Sequence, residues 1–430
     1  MFELLKRIYP LRLAPVSADA DKTVQILLEE LPFFVHKYPS LSEHNGWTVP
    51  YSWEVKKAEI RKNNKLIYNG LKHPLGVMGY AKSFKGKVSL SELKQHISFR
   101  KDLPDAIGYH CDYYYKPWRS DWGFSAPYTL FKKLKSGEYD IDLKTEYKKG
   151  TMKVLDYLLK GEKEDIIFLN AHDCHAAQAN DDISGVVVAI EVMKTLKKRK
   201  KRKYSYKLII APEHLGTIFY LANTPDREVK KFKYGMFLEM LGNNNRFALQ
   251  QSFNGDSLID KAAHIYFKHN FPDYYSDKFR KIVGNDETVW ESPGYEIPCI
   301  SLSRAPYSQY HSNLDNEKII NEDKLKESVN TVLGIIDILE TDTRMTRNFK
   351  GLMALSNPKY DLYIHTIDPS IRLTISKEQR KWNYLMDCVI RYFDGKQTIS
   401  DIALKHDIDY FKLLDYLRKF EKKGLINFID

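Results

Sequence analysis

Histidine and carboxylate side chains are concentrated in one short stretch of the sequence, residues 170–185. It contains His172, His175 and Asp181, and it ends in an Asn-Asp-Asp-x-Ser-Gly sequence. Imidazole and carboxylate are ligands that zinc takes at catalytic sites. The alternative is a polar loop whose Asp and Ser side chains cap the following helix. Two closely spaced histidines followed by two aspartates favour the metal site.

Three further segments carry acidic or histidine side chains with the same potential. Glu213 and His214 are adjacent in the first, Glu239 lies in the second, and Tyr310 precedes His311 in the third. A lone His or Glu is more often a polar surface residue than a ligand. Four such segments in one domain, most of them after apolar runs, are more consistent with one shared site.

The elements that would position these residues have the pattern of an α/β protein. Residues 164–170, 206–211 and 235–240 are short apolar runs typical of buried parallel strands, and residues 184–193 are predicted to form a helix. Strand and helix in alternation predict a sheet with helices on both faces. In such sheets ligand sites lie beyond the carboxyl ends of the strands. The four segments therefore fall where a site is expected.

Changes of pattern along the chain predict several domains. Short strand-like pieces separated by turns suggest an inserted β-rich module, and three helices with a terminal strand suggest a winged helix. The predicted boundaries are residues 1–44 and 116–345 for the catalytic domain, 45–115 for the inserted domain, 346–375 for a linker and 376–430 for the winged helix.

Composition indicates a globular protein with a basic surface. Of the 430 residues 43% are hydrophobic, which suffices for a sizeable core. The N-terminus lacks a signal-peptide core and no apolar run reaches the roughly 18 residues of a membrane span, so we expect a cytoplasmic protein without a membrane partner. The four cysteines form no CxxC pair, which argues against a disulfide framework or a cysteine zinc knuckle.

The net charge of +11 raises the question of nucleic-acid binding. Much of the charge lies in residues 197–203, which we interpret as a solvated helix end because no aromatic residues interleave with it. The third helix of the predicted winged helix carries acidic as well as basic residues. Both observations disfavour nucleic acid as a partner. They do not bear on self-association, and a homo-oligomer is compatible with the sequence.

Taken together, the motifs and their order resemble the bacterial zinc aminopeptidase superfamily. A closer match is an aminopeptidase-like bacterial family of unknown function, whose members join such a core to an inserted β domain and a C-terminal winged helix. The resemblance extends from about residue 20 to the end. It is carried by these segments: Trp47-Thr48-Val49-Pro50, Asp121-Trp122-Gly123-Phe124, Gly284-Asn285-Asp286-Glu287, Ser292-Pro293-Gly294 and Arg304-Ala305-Pro306-Tyr307.

The resemblance also implies roles for single residues. Asp181 matches the central, metal-bridging carboxylate, His311 the late ligand and Glu213 the general base. Either His172 or His175 is the early ligand. The second Glu of the superfamily's pair is His214 here, and Glu239 keeps a carboxylate. One zinc ion is therefore expected, or two held by the sets His172/Asp181/Glu239 and Asp181/His214/His311.

Zinc with an open coordination position lowers the pKa of a water molecule toward about 7 and polarises a substrate carbonyl. Glu213 would take the proton of that water and deliver it to the leaving amine. Arg304, Asp286 and Glu287 are candidate substrate contacts, or else members of a structural ion-pair network. Tyr310 is a further candidate contact.

Three functions fit these observations. The first is a zinc-dependent hydrolase that cleaves an amide or peptide bond in a small polar substrate. The second is a deacylase in surface-polysaccharide or modified amino-acid biosynthesis. The third is a DNA-binding regulator in which the hydrolase domain serves as a sensor.

Overall fold

The computed structural model describes residues 1–364 and 376–429. Residues 365–375, which belong to the predicted linker 346–375, lie outside the described residues. Contacts divide the chain into two compact units. The first comprises Met1–Asn254 and Tyr275–Asn330, and the second comprises Gly255–Tyr274 and Thr331–Asp430. Within the described residues, no helix combines the length and apolar character needed to cross a bilayer.

The strands of the described residues are numbered in chain order: β1 Phe34–Pro39, β2 Glu43–His44, β3 Trp47–Thr48, β4 Ser52–Lys62, β5 Lys65–Asn69, β6 Phe84–Ser89, β7 Ile97–Ser98, β8 Phe124–Ser125, β9 Glu138–Lys148, β10 Thr151–Leu159, β11 Ile166–His172, β12 Ser205–Ala211, β13 Phe232–Leu238, β14 Ala248–Gln250, β15 Tyr275–Asp277, β16 Cys299–Ser303, β17 Arg344–Arg347, β18 Asp394–Thr398 and β19 Ile426–Ile429.

The α-helices are numbered in the same way: α1 Phe2–Ile8, α2 Ala18–Leu28, α3 Leu90–Gln95, α4 Asp112–Tyr115, α5 Tyr128–Lys133, α6 Ser184–Lys198, α7 Leu215–Ala222, α8 Asp226–Val229, α9 Leu258–Asn270, α10 Glu287–Trp290, α11 Glu322–Thr341, α12 Lys377–Cys388, α13 Ile399–His406 and α14 Tyr410–Lys422.

The first unit is built on a mixed eight-stranded sheet in the order β1-β10-β12-β11-β13-β16-β14-β15. Its centre is parallel, because β11 pairs in parallel with β12 and β13, and β13 with β16. The three apolar runs predicted as buried strands are present as β11, β12 and β13. The predicted mixed α/β sheet flanked by helices is therefore confirmed.

Close packing fixes the position of the central strand β11. Every residue of β11 is buried, and the Phe168 ring stacks on Trp290 with 3.7 Å between ring centroids. On the neighbouring strand a Cβ at Gly235 would lie 1.8 Å from Phe168 Cζ, so only glycine fits there. This packing makes the carboxyl end of β11 a rigid support for the loop that follows it.

The small β-rich module extends further along the chain than its predicted boundary at residue 115. Its four-stranded sheet has the order β5-β4-β9-β6, so the long strand β9 belongs to it. The side chains of β9 alternate between buried and exposed, and Ile141 pairs with Ile60 of β4. Alternation of buried and exposed side chains identifies a strand but does not reveal which sheet the strand joins.

The second unit joins α9 to the C-terminal helices α12, α13 and α14 and to a three-stranded sheet in the order β18-β17-β19. Residues 255–274 thus pack with the C-terminal unit, although the predicted boundaries placed them in the catalytic domain. Two ion pairs contribute to this packing, from Lys261 to Asp401 at 2.9 Å and from Lys268 to Asp407 at 2.5 Å. The winged helix itself stays a prediction.

Candidate metal centre

The candidate site lies at the carboxyl ends of three adjacent strands. His172 is the last residue of β11, Glu213 follows β12 by two residues, and Glu239 directly follows β13. The loop after β11 adds His175 and Asp181, both buried. Because β11 lies between β12 and β13 in the sheet, the three strand ends bring these side chains together.

Asp181 lies among three imidazole rings. Its Oδ1 is 3.2 Å from His172 Nε2, and its Oδ2 is 3.4 Å from His175 Nδ1 and 3.0 Å from His311 Nε2. Burial opposes ionisation of Asp181, but the surrounding imidazoles hold its pKa well below the usual range. Asp181 is therefore a carboxylate at neutral pH. Its peptide bond to Asp182 is cis.

Several buried atoms of this cluster have no hydrogen-bond partner among the described residues. They are both ring nitrogens of His172, together with His175 Nδ1, Asp181 Oδ2 and His311 Nε2. Buried polar atoms without partners are costly, so an ion that accepts their lone pairs fits the cluster. A neutral imidazole nitrogen and a carboxylate oxygen are both zinc ligands.

Two groups of three residues have ligand atoms within 4.8 Å of one another and share Asp181. One is His172/Asp181/Glu239 and the other is His175/Asp181/His311. A third group, His172/Cys174/His175, overlaps them. Both early histidines therefore lie in the cluster, whereas the sequence left the choice between them open. The shared Asp181 is compatible with one ion or with two.

Glu213 lies beside the cluster and lines a cavity of about 410 Å³. Its Oε2 accepts a hydrogen bond from Tyr115 Oη at 2.6 Å and lies 3.0 Å from His175 Nε2. Burial opposes ionisation of Glu213, but the neighbouring His175, His172 and His214 hold its pKa well below the usual range. A carboxylate in this place is ionised at neutral pH and can accept a proton from a group in the cavity.

Two neighbouring side chains orient Glu239. Asn285 Nδ2 donates to Glu239 Oε2 at 2.9 Å, and Ser301 Oγ donates to Oε1 at 3.4 Å. Burial and the nearby carboxylates, Glu287 first among them, raise the pKa of Glu239 well above its usual range. A cation bound at the cluster would stabilise Glu239 as a carboxylate.

His214 lies outside the metal-competent groups formed by the described residues. It has a positive φ of 55°, and its ring lies parallel to Trp47 with 6.2 Å between centroids. Its backbone N–H donates to Asp286 Oδ1 at 2.5 Å. The predicted set was Asp181/His214/His311. In the structure the corresponding group is His175/Asp181/His311, with His175 in place of His214.

Asp286 and Glu287 are completely buried and do not line the cavity. Asp286 accepts the backbone N–H of His214 and so supports the loop that carries Glu213. Glu287 accepts the backbone N–H of Asn285 at 2.9 Å and Gln250 Nε2 at 3.1 Å. Both carboxylates stabilise loops around the site rather than facing a substrate.

Arg304 is also buried, with 1% of its surface exposed. Its Nη2 donates to Glu327 Oε2 at 2.6 Å, and its guanidinium lies over the Phe247 ring. This is the ion-pair arrangement that the sequence left as an alternative to substrate binding. Tyr310, in contrast, lines the cavity, is 41% exposed and stacks on the His311 ring.

Asp315 and Tyr115 contribute to the site without having been singled out from the sequence. Asp315 accepts the backbone N–H groups of Asn180 at 2.6 Å and Asp181 at 3.2 Å, and the hydroxyl of Tyr307 at 2.6 Å. Burial raises the pKa of Asp315 to about 7. Its place four residues after His311 was an available signal. Tyr115 lies 98 residues before Glu213, so no local sequence signal connects the two.

The fold and the residues around Asp181 define an aminopeptidase-like α/β protein. Residues 2–342 match the family described as Domain of unknown function (DUF4910), and the chain belongs to this family. A Clostridium acetobutylicum protein named for polysaccharide biosynthesis and an aminopeptidase-like domain is 28% identical over 417 residues. That match covers 96% of this chain and 92% of the relative.

Solved structures agree with this assignment. A crystal structure from Clostridium acetobutylicum, described as that of a peptidase, has a TM-score of 0.83 and 25% identity, covering 100% of this chain and 96% of that one. A zinc aminopeptidase from Bacillus subtilis has a TM-score of 0.57 at 12% identity, covering 79% and 93%. The second likeness shows the fold alone. The predicted membership of an aminopeptidase-like family of unknown function is confirmed.

Proposed function

We propose that the chain is a zinc-dependent hydrolase of an amide or peptide bond in which Glu213 is the general base. The observation that carries the proposal is the set of partnerless imidazole and carboxylate atoms around Asp181, next to a carboxylate that lines a cavity. The names of the relatives, a peptidase and a protein with an aminopeptidase-like domain, point to the same reaction class.

His172, His175, Asp181, Glu239 and His311 would hold the metal. Bound zinc supplies an acidified water molecule and polarises the carbonyl of the substrate. Glu213 accepts a proton from the attacking water and returns it to the leaving amine. Tyr115 donates to Oε2 of Glu213 and so helps to orient the carboxylate.

The variant Glu213→Gln tests the proposal. The amide is nearly isosteric, so the fold and the zinc content are expected to be retained, but it cannot accept a proton. Turnover on a panel of aminoacyl and N-acyl substrates should fall by about two to four orders of magnitude. Zinc content is measured in the same samples by elemental analysis.

Two further variants make the result specific. Asp181→Ala should lose zinc together with activity, whereas Glu164→Gln, at a side chain that is 83% exposed, should retain both. Loss of zinc in Glu213→Gln would make Glu213 a ligand instead of the base. Full turnover in Glu213→Gln would refute its proposed role.

A further inference from the structure

The cavity next to Glu213 contains one cationic side chain, Arg280. The charged residues that line it are Glu213, Glu239 and Arg280, and the polar residues Asn285 and Tyr310 also line it. A guanidinium is always charged in proteins. One cavity is therefore lined by both a permanent positive charge and the proposed general base.

Two contacts hold the Arg280 guanidinium in position. Its Nη1 donates to Thr288 Oγ1 at 2.9 Å. It also lies against the backbone at Gly284, where an added Cβ would be 2.5 Å from both Cζ and Nη1 of Arg280. Glycine at this position thus permits the close approach of the guanidinium, which reaches the cavity from an exposed residue.

Arg280 nevertheless forms no ion pair within the part of the chain that the structure describes, although its positive charge acts against the raised pKa of the buried Glu287. No carboxylate oxygen there lies within 4.0 Å of its nitrogens. Arg304 differs, because its charge is compensated by Glu327 at 2.6 Å. An oriented guanidinium without an ion pair, in a cavity beside a catalytic carboxylate, is suited to bind an anion from outside the chain.

The carboxylates of the cavity are already engaged. Glu239 accepts from Asn285 and Ser301, and Glu213 accepts from Tyr115 and lies next to His175. Among the described lining residues, no other carboxylate remains to bind the free amino group of a substrate. Outside the proposed catalytic cluster, the charged side chain that lines the cavity is therefore the positive Arg280, which favours an anionic group on the substrate over a cationic amine.

We infer that Arg280 binds a carboxylate of the substrate, so that the substrate is an amide carrying a negative charge. The cleavage of the bound amide rests on the proposed hydrolase function, whereas the binding of its carboxylate by Arg280 does not. A guanidinium matches a carboxylate with two parallel hydrogen bonds, which gives orientation as well as affinity. Arg280 would thus be a specificity-determining residue.

The test compares amides that differ only in charge. One pair is N-acetylglycine and N-acetylglycinamide, and the other is N-methylsuccinamic acid and N-methylsuccinamide, which places the carboxylate on the acyl side. Binding is measured by calorimetry in zinc-loaded Glu213→Gln, and hydrolysis in the zinc-loaded wild type. In at least one pair the carboxylate member should be preferred by about 100-fold.

Three substitutions then assign the preference. In Arg280→Gln the ratio of affinities for the carboxylate and the amide probe should fall to near unity. In Arg280→Lys about a tenth of the wild-type ratio should remain, because the charge is kept but the two parallel hydrogen bonds of the guanidinium are lost. Arg227→Gln, at a side chain that is 85% exposed on α8, is the matched control and should leave the preference unchanged. Circular dichroism checks that each variant is folded.

The outcomes separate the two proposals. Carboxylate binding that depends on Arg280, without hydrolysis of any probe, supports the anion site while the proposed reaction fails. Hydrolysis without a carboxylate preference, or a preference that survives in Arg280→Gln, overturns the anion site while the reaction stands. Absence of binding for all four probes also overturns the anion site.

Discussion

Replacing Asp315 by Asn should weaken zinc binding although Asp315 is not itself in a metal-competent group. Its carboxylate accepts the backbone N–H groups of Asn180 and Asp181 and the Tyr307 hydroxyl. These three contacts fix the turn that presents Asp181 to the histidines. The variant preserves the shape of the side chain and changes only what it can accept.

The expected magnitude follows from these contacts. In Asp315→Asn an amide nitrogen replaces one oxygen, so at least one buried backbone N–H faces another donor. Losing one hydrogen bond to a charged group costs about 1.5–3 kcal/mol. If most of this cost arises because Asp181 is no longer held in position to bind zinc, zinc affinity should fall by about 10–100-fold. This is the usual effect of removing a hydrogen-bond partner that orients a metal ligand.

The assay is competition for zinc between the metal-free protein and a chromophoric chelator of known affinity. It is run at pH 8, above the pKa of about 7 of Asp315, so that the wild type carries a carboxylate there. Asp323→Asn, at a side chain that is 88% exposed, controls for the loss of a charge. A folded Asp315→Asn protein with unchanged zinc affinity would refute the positioning role.

Two further predictions concern stability. A Cβ at Gly185 would lie 2.4 Å from Asp182 Oδ1, so Gly185→Ala should lower the free energy of unfolding by about 1–3 kcal/mol, and an unchanged melting temperature would contradict this. Burial opposes ionisation of Asp156, but His36 and Lys207 lower its pKa. Its stabilisation is therefore complete above the unfolded-state pKa of about 3.9 and is lost as the pH falls through the lower folded-state pKa. Asp156→Asn should cost about 3 kcal/mol at pH 7 in urea unfolding and less at pH 3, and a cost independent of pH would contradict the argument.

The parts of the site that follow a buried strand were predictable from the sequence. His172, Glu213 and Glu239 each come after an apolar run, and parallel strands bring their carboxyl ends to one edge of the sheet. Arg280 and Tyr115 follow no such run. Tyr115 reaches Glu213 from 98 residues away, and Arg280 lines the cavity from the loop between β15 and α10, so no pattern of an apolar strand followed by a polar residue marks either of them.

Charged residues in a recognisable motif were harder to interpret. Asp286 and Glu287 have the types expected of a substrate contact, yet both are buried and accept backbone N–H groups. Arg304 also has the type expected of a substrate contact, yet it is buried and forms an ion pair with Glu327. The sequence shows that such groups are present, but the direction of each side chain depends on how its loop packs.

The exchange between His214 and His175 shows how a loop can change a ligand set while the sheet stays the same. The resemblance to zinc aminopeptidases indicated a ligand at position 214, directly after Glu213. In the structure the backbone at His214 has a positive φ, donates to Asp286 and directs the ring toward Trp47. His175, from the loop after β11, approaches Asp181 and Glu213 instead. Because His175 contacts the proposed base as well as the central carboxylate, metal binding and proton transfer would be coupled through a single imidazole.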